Sequence, residues 1–186
     1  MSLWRRAQLV TVHGALMDDA NGTFAAANIA SLHANLMLGG KLVVPSVATE
    51  LTASLTTSGC VSGRLLGGNL DSLTTTAGWA LPPLHNAILL LEAVNMELGH
   101  IDRQLTMLTR SGALAGVAAV ALGQFTGFKP SKGCSVVDLL REHLGALRVP
   151  TLGGLPPGHG EAPWSVPIGA IATLDALARQ LAVQGS

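Results

Sequence analysis

Residues 86–94 read NAILLLEAV. From Ala87 to Leu91 the run is continuously apolar and of strand length. That is the pattern of a strand covered on both faces rather than one that turns a polar face to water. Its surroundings repeat the theme. Downstream, HIDRQLTMLTRSG (100–112) spaces Ile101, Leu105 and Leu108 as one helix face, with Asp102 in the first turn, Arg110 in the last and Gly112 as C-cap. GVAAVALG (116–123) is a second buried strand. SVVDLLREHLG (135–145) is a second helix, opened by Ser135 and Asp138 as a variant capping box and closed at Gly145. RVPTLGG (148–154) is a third strand. Strand, helix, strand, helix, strand at these lengths predicts an α/β fold: a βαβαβ unit with right-handed crossovers and a parallel sheet.

Outside this unit the reading continues in both directions. Upstream, VSGRLLGG (61–68) predicts a strand ending in a glycine turn, after which Asn69 caps the short helix LDSLTTTA. At the front, LVTVHGAL (9–16) reads as a short strand entering a loop, and FAAANIASLHANLML (24–38) as a helix stopped by Gly39-Gly40. KLVVP and TELTASLTTSG, between 41 and 59, alternate as strands do. In the tail, Gly169 to Leu174 reads as a strand. Residues 176–183 fit a helix or a returning strand. No internal repeat or low-complexity segment interrupts the chain.

Composition removes several classes of function. The 186 residues suit one medium domain, or one domain and part of another, and 48% hydrophobic against 12% charged residues allows a substantial core. Eleven basic and eleven acidic residues cancel, no Lys/Arg cluster extends beyond Arg5-Arg6, and aromatics make up 3%. This excludes nucleic-acid binding driven by phosphate charge or base stacking. The most apolar stretch, GALAGVAAVALG (112–123), is too short to span a bilayer, and the N-terminus lacks a secretory apolar core. Cys60 and Cys134 form no CxxC pair and read as free thiols of a reducing cytosol. The expectation is a cytoplasmic protein without membrane or nucleic-acid partners.

The predicted topology brings chemistry to one edge. Glu92 follows the first strand of the βαβαβ unit, and GGLPPGHG (153–160) follows the third. Both therefore emerge at the carboxyl edge of a parallel sheet, where α/β proteins place their sites. Pro156 and Pro157 fix φ on one side of His159, and Gly158 and Gly160 leave space on both sides of it. A carboxylate that accepts the Nδ1 proton of such a histidine fixes its tautomer and leaves Nε2 as a general base. That chemistry needs a nucleophile upstream, and no G-x-S-x-G turn occurs. Ser135 is explained as a helix cap, and Ser62 is one place out of register. A buried ion pair with a structural role accounts for the same two residues.

The motifs GRLLGGNLDSL, ILLLEAVN, IDRQLTMLTRSGALAGVAAVALGQFTG and VPTLGGLPPGHG resemble, in order and spacing, the C-terminal half of the LD-carboxypeptidases. These are the murein tetrapeptide carboxypeptidases, with the microcin C immunity peptidases as relatives. The likeness runs from about Val61 to Asp175, and LVTVHGAL resembles the family's HGP segment. The resemblance implies a swivelling β/β/α domain with a mostly parallel sheet over 61–186. A linker at 51–60 precedes it, and residues 1–50 would be the remnant of an N-terminal α/β domain. It implies Glu92 and His159 as the glutamate and histidine of a Ser-Glu-His triad that hydrolyses an L–D amide of cytoplasmic muropeptides during peptidoglycan recycling. No metal or organic cofactor is implied.

The family's serine sits in a G-x-S-D-x-T turn that this sequence lacks. The expectation is that the chain begins between that turn and HGA, and is inactive by itself. Ala15 replaces the usual proline, EAVNM replaces EDVGE after Glu92, and the usual tyrosine near Gly99 is absent. Asn69 and His13 are candidate substrate contacts, beside the plainer readings of a helix cap and a loop histidine. Glu92 could instead cap a helix or pair with Arg103. His33, His85, His100 and His143 show no metal-ligand spacing and are expected on solvent or helix faces. A homodimer is expected, because apolar surface on residues 1–50 would need covering. Alternative activities are hydrolysis of a microcin C-type peptidyl nucleotide, or a non-catalytic dimerisation or regulatory role.

Overall fold

The computed structural model describes residues 6–14, 26–129, 131, 133–160 and 162–185, without the side chains of residues 27 and 38. Four strands form the parallel half of its central sheet: β3 (Cys60–Asn69), β4 (Ala87–Val94), β5 (Ala119–Thr126) and β6 (Thr151–Leu152). They pair in sequence order, each parallel to the next. The crossovers are the helices α2 (Leu70–Thr76), α3 (Leu98–Arg110) and α4 (Val136–Gly145). Consecutive right-handed crossovers advancing in one direction put all three on one face, where α2 packs on α3 and α3 on α4. β4 and β5 are buried along all but their last residue, as strands between two covered faces must be. Leu65, Leu66, Ile88 to Leu91 and Leu122 form the centre of the core.

On the other side of β3 the pairing is antiparallel. β8 (Ile171–Asp175) lies beside β3, then β9 (Gln180–Val183), then β2 (Leu42–Pro45) at the edge. The seven-stranded sheet is therefore mixed, with β3 to β6 and β9 pointing one way. The segment left open between helix and returning strand is the strand. Asp175 Oδ1 accepts from the backbone N–H groups of Leu177 and Ala178, and this tight turn folds β9 back on β8. A second ribbon pairs β1 (Thr11–His13) antiparallel with β7 (Val166–Ile168).

Two elements depart from expectation. Residues 51–55, expected within a strand, form a 3-10 helix instead. Thr52, Ala53 and Leu55 are all buried, and that is not the alternation of a strand. Thr52 Oγ1 donates to the Gly123 carbonyl (3.1 Å) and accepts from Gly154 N–H (2.9 Å), so local helical winding wins because it ties β5 at Gly123 to the loop beyond β6. β7 was not foreseen at all, since PWSVP carries two prolines. Its partner supplies the reason it forms, because among the described residues β1 pairs with no other strand. The helix expected over 24–38 runs as α1 (Ala26–His33), continues as a wider π turn to Leu38, and ends at Gly39 in the left-handed region; residues 24 and 25 lie outside the described set.

Both caps read from sequence are present. Asn69 Oδ1 accepts from Asp71 N–H and Ser72 N–H, and Ser135 and Asp138 complete a reciprocal capping box. The Ser135 hydroxyl, then its backbone N–H, hold the Asp138 carboxyl below its ordinary range. Both cysteines are free. His143, expected on a solvent or helix face, lies half-buried on α4 and meets Asp102 at 2.8 Å, joining α4 to α3.

Candidate active site

The parallel half of the sheet dictates where the candidate residues meet. β3 and β4 run in register so that Asn69 pairs with Glu92, both at their strands' carboxyl ends. On the other side of Glu92, the β4–β5 register slips between Leu91 and Ala93, where Gly123 and Gln124 together oppose Glu92. Such a bulge redirects side chains. Gln124 uses this to brace the loop beyond β6. Its backbone N–H donates to the Pro157 carbonyl (2.8 Å), its Oε1 accepts from Gly160 N–H (2.7 Å), and its Nε2 donates to Glu50 Oε1 (2.8 Å).

The loop so held delivers His159. Gly158 sits at φ +147°, and a Cβ there would lie 2.6 Å from Gln124 Cβ. Only glycine lets the backbone pass this close in this conformation. The result is a contact of 2.8 Å between His159 Nδ1 and Glu92 Oε2. Glu92 is wholly buried, whereas the His159 side chain keeps 28% of its surface exposed. With Nδ1 on the carboxyl, Nε2 is the nitrogen left for other partners. Arg103, the other partner expected for Glu92, forms no ion pair with it among the described residues.

His13 arrives from a different direction. The β1–β7 pairing sets it opposite Val166, and its ring lies against Gly68, where a Cβ would stand 3.2 Å from Nδ1. Its Nε2 is 3.7 Å from Glu92 Oε1, so the two histidines address different oxygens of one carboxyl. Burial pushes the His13 pKa below its ordinary 6.5. The Glu92 charge opposes that shift and the His159 charge adds to it.

These groups line one cavity of about 450 Å³, together with Asn69, Gly67, Ser72 and Thr76. Asn69 serves as cap through Oδ1, which leaves its Nδ2 as the donor it can turn to the cavity. Among the described residues no serine hydroxyl bonds His159, and no three His, Cys, Asp or Glu side chains group to hold a metal ion. The structure thus gathers all four sequence candidates, Glu92, His159, His13 and Asn69, at one cavity. The sequence reading missed Gln124 and Thr52. Their only signal is a polar residue placed at the carboxyl edge of the sheet or beside it, and that becomes informative once β6 and its loop are in place.

Residues 62–174 match the family described as the LD-carboxypeptidase C-terminal domain. The chain belongs to the LD-carboxypeptidase family. A protein of Streptomyces coelicolor is 36% identical over 175 residues, covering 92% of this chain and 54% of its own length. The murein tetrapeptide carboxypeptidase of Pseudomonas aeruginosa is 34% identical over 119 residues, covering 62% of this chain and 38% of its own. The crystal structure of muramoyltetrapeptide carboxypeptidase from Oxalobacter formigenes superposes with a TM-score of 0.84 at 26% identity, over 100% of this chain and 64% of that one. The chain spans about half the length of the curated relatives it matches, or less. Among the described residues no helix is long and apolar enough to cross a membrane.

Proposed function

We propose that this chain supplies the glutamate and histidine of a serine-type LD-carboxypeptidase site, with the nucleophilic serine contributed by sequence outside these 186 residues. The observation that carries the reading is the 2.8 Å contact between a buried carboxyl and a histidine that lines a cavity. Glu92 accepts the Nδ1 proton and keeps His159 in the tautomer whose Nε2 is basic. Nε2 takes the serine hydroxyl proton as that oxygen attacks the carbonyl of an L–D amide. It returns the proton to the nitrogen of the departing D-amino acid as the C–N bond breaks. Water repeats the sequence on the acyl-enzyme and frees the serine.

The relatives named murein tetrapeptide carboxypeptidase and muramoyltetrapeptide carboxypeptidase support a muropeptide substrate; in this reading its terminal D-alanine is the group removed, in the cytoplasm. Asn69 Nδ2 and the His13 ring contact the bound peptide from the same cavity. In this reading residues 61–186 are the swivelling domain, 51–60 its linker and 1–50 part of a second domain, and the active assembly is a homodimer.

The test is D-alanine release from an L–D tetrapeptide, first by this chain alone and then by the chain joined to the segment that precedes the matched region in the Pseudomonas aeruginosa enzyme. The account expects release only from the joined form. Release by the chain alone that survives His159→Ala, or a folded joined form with no release, would remove this reading.

A further inference from the structure

We infer that His13 is a positioning residue: it holds the Glu92 oxygen that His159 leaves open, and so fixes the carboxyl in the orientation that orders His159. The inference rests on the Glu92–His159 pair as proposed above. Three observations carry it.

The first is the state of the carboxyl. Oε2 is committed to His159 Nδ1, while Oε1 is buried without a hydrogen-bond partner among the described residues. A buried carboxyl oxygen with no donor is costly, and a carboxyl free to rotate would exchange its two oxygens before the histidine. The second is the neighbour of that oxygen. His13 Nε2 lies 3.7 Å away, longer than a hydrogen bond yet within reach of a small tilt of the ring, and among the described residues it is the ionisable nitrogen that faces Oε1.

The third is that the ring's place is built rather than incidental. β1 is held by its ladder to β7, and Gly14, the residue after His13, is packed so closely on Ser165 that a Cβ would stand 2.6 Å from the Ser165 Cα. Under the ring, Gly68 offers bare backbone, where any other residue would crowd the imidazole. Burial disfavours the protonated form of the ring. A neutral imidazole can donate Nε2–H to Oε1. A ring whose only task was to touch substrate would have no need of the carboxyl's far oxygen.

Histidine-selective nitrogen NMR on the 186-residue chain reads this without requiring activity. Under mildly alkaline conditions the wild type is expected to show His159 protonated on Nδ1, as a signal protected from exchange with water. His13→Phe fills the site without a donor, and His13→Ala serves if the larger ring disturbs folding. Either is expected to lose the protected signal and mix the His159 tautomers. His13→Gln, whose amide N–H reaches the same oxygen, is expected to restore it, which a purely structural loss would not allow. An unchanged His159 signal in both His13→Phe and His13→Ala overturns the assignment. Glu92→Gln separates the two claims. If it too leaves His159 unchanged, the Glu92–His159 reading fails. If it alone alters His159, only the role of His13 falls.

Discussion

A carboxyl with no exposed surface and two histidines around it makes the site sensitive to pH and to single atoms. His13 has a folded-state pKa below its ordinary 6.5, chiefly through burial. The unfolded chain therefore binds the proton more readily. His13's contribution is complete above about pH 6.5 and is lost as pH falls through the depressed folded value. Urea midpoints measured across that window should fall on acidification in the wild type and fall less in His13→Gln. Gly158 poses a steric question of the same scale. Gly158→Ala puts a methyl against Gln124 at a φ that L-residues avoid. It should cost about 1–3 kcal/mol of stability and displace His159 from Glu92, as denaturant melts and the His159 NMR signal would show.

At the scale of elements, the site depends on how the loop beyond β6 is tied to its neighbours. The 3-10 helix at 51–55 contributes Thr52, whose hydroxyl serves Gly123 and Gly154 at once. Thr52→Val keeps the volume and strands both backbone groups, so it should cost about 1–3 kcal/mol and loosen the loop that carries His159. Unchanged denaturant midpoints would contradict this. Alternating apolar and polar letters hid this element, because winding was decided by hydrogen-bond partners far away in sequence. The crossover helices were readable because their determinants are local: the Ser135–Asp138 box and the Asn69 cap act within a few residues of themselves. The β1–β7 ribbon was not, since its partners lie more than a hundred residues apart and their letters are short and proline-bearing.

For the whole molecule, the parallel order of β3 to β6 was legible from NAILLLEAV and its neighbours, and with it the meeting of Glu92 and His159 at one edge. Sequence could not provide the approach of His13 to the same carboxyl, which needs the ribbon, or the brace from Gln124, which needs the bulge in β5. α1 and its π turn leave Ile29, Leu36 and Met37 more than half exposed, at 54%, 61% and 71%. Apolar side chains gathered on one helix favour association. Light scattering should find the chain self-associating with rising concentration, and Leu36→Lys with Met37→Lys should weaken that. A monomer at every concentration would contradict the proposed dimer. The most direct measurement of the central claim is the rate of D-alanine release by the chain joined to a nucleophile-bearing segment, in wild type, His159→Ala and Glu92→Gln. His159→Ala is expected to abolish measurable release and Glu92→Gln to lower kcat by about 10²–10⁴-fold. Full activity in either variant would show that the pair at the sheet edge is structural, and that the base lies elsewhere.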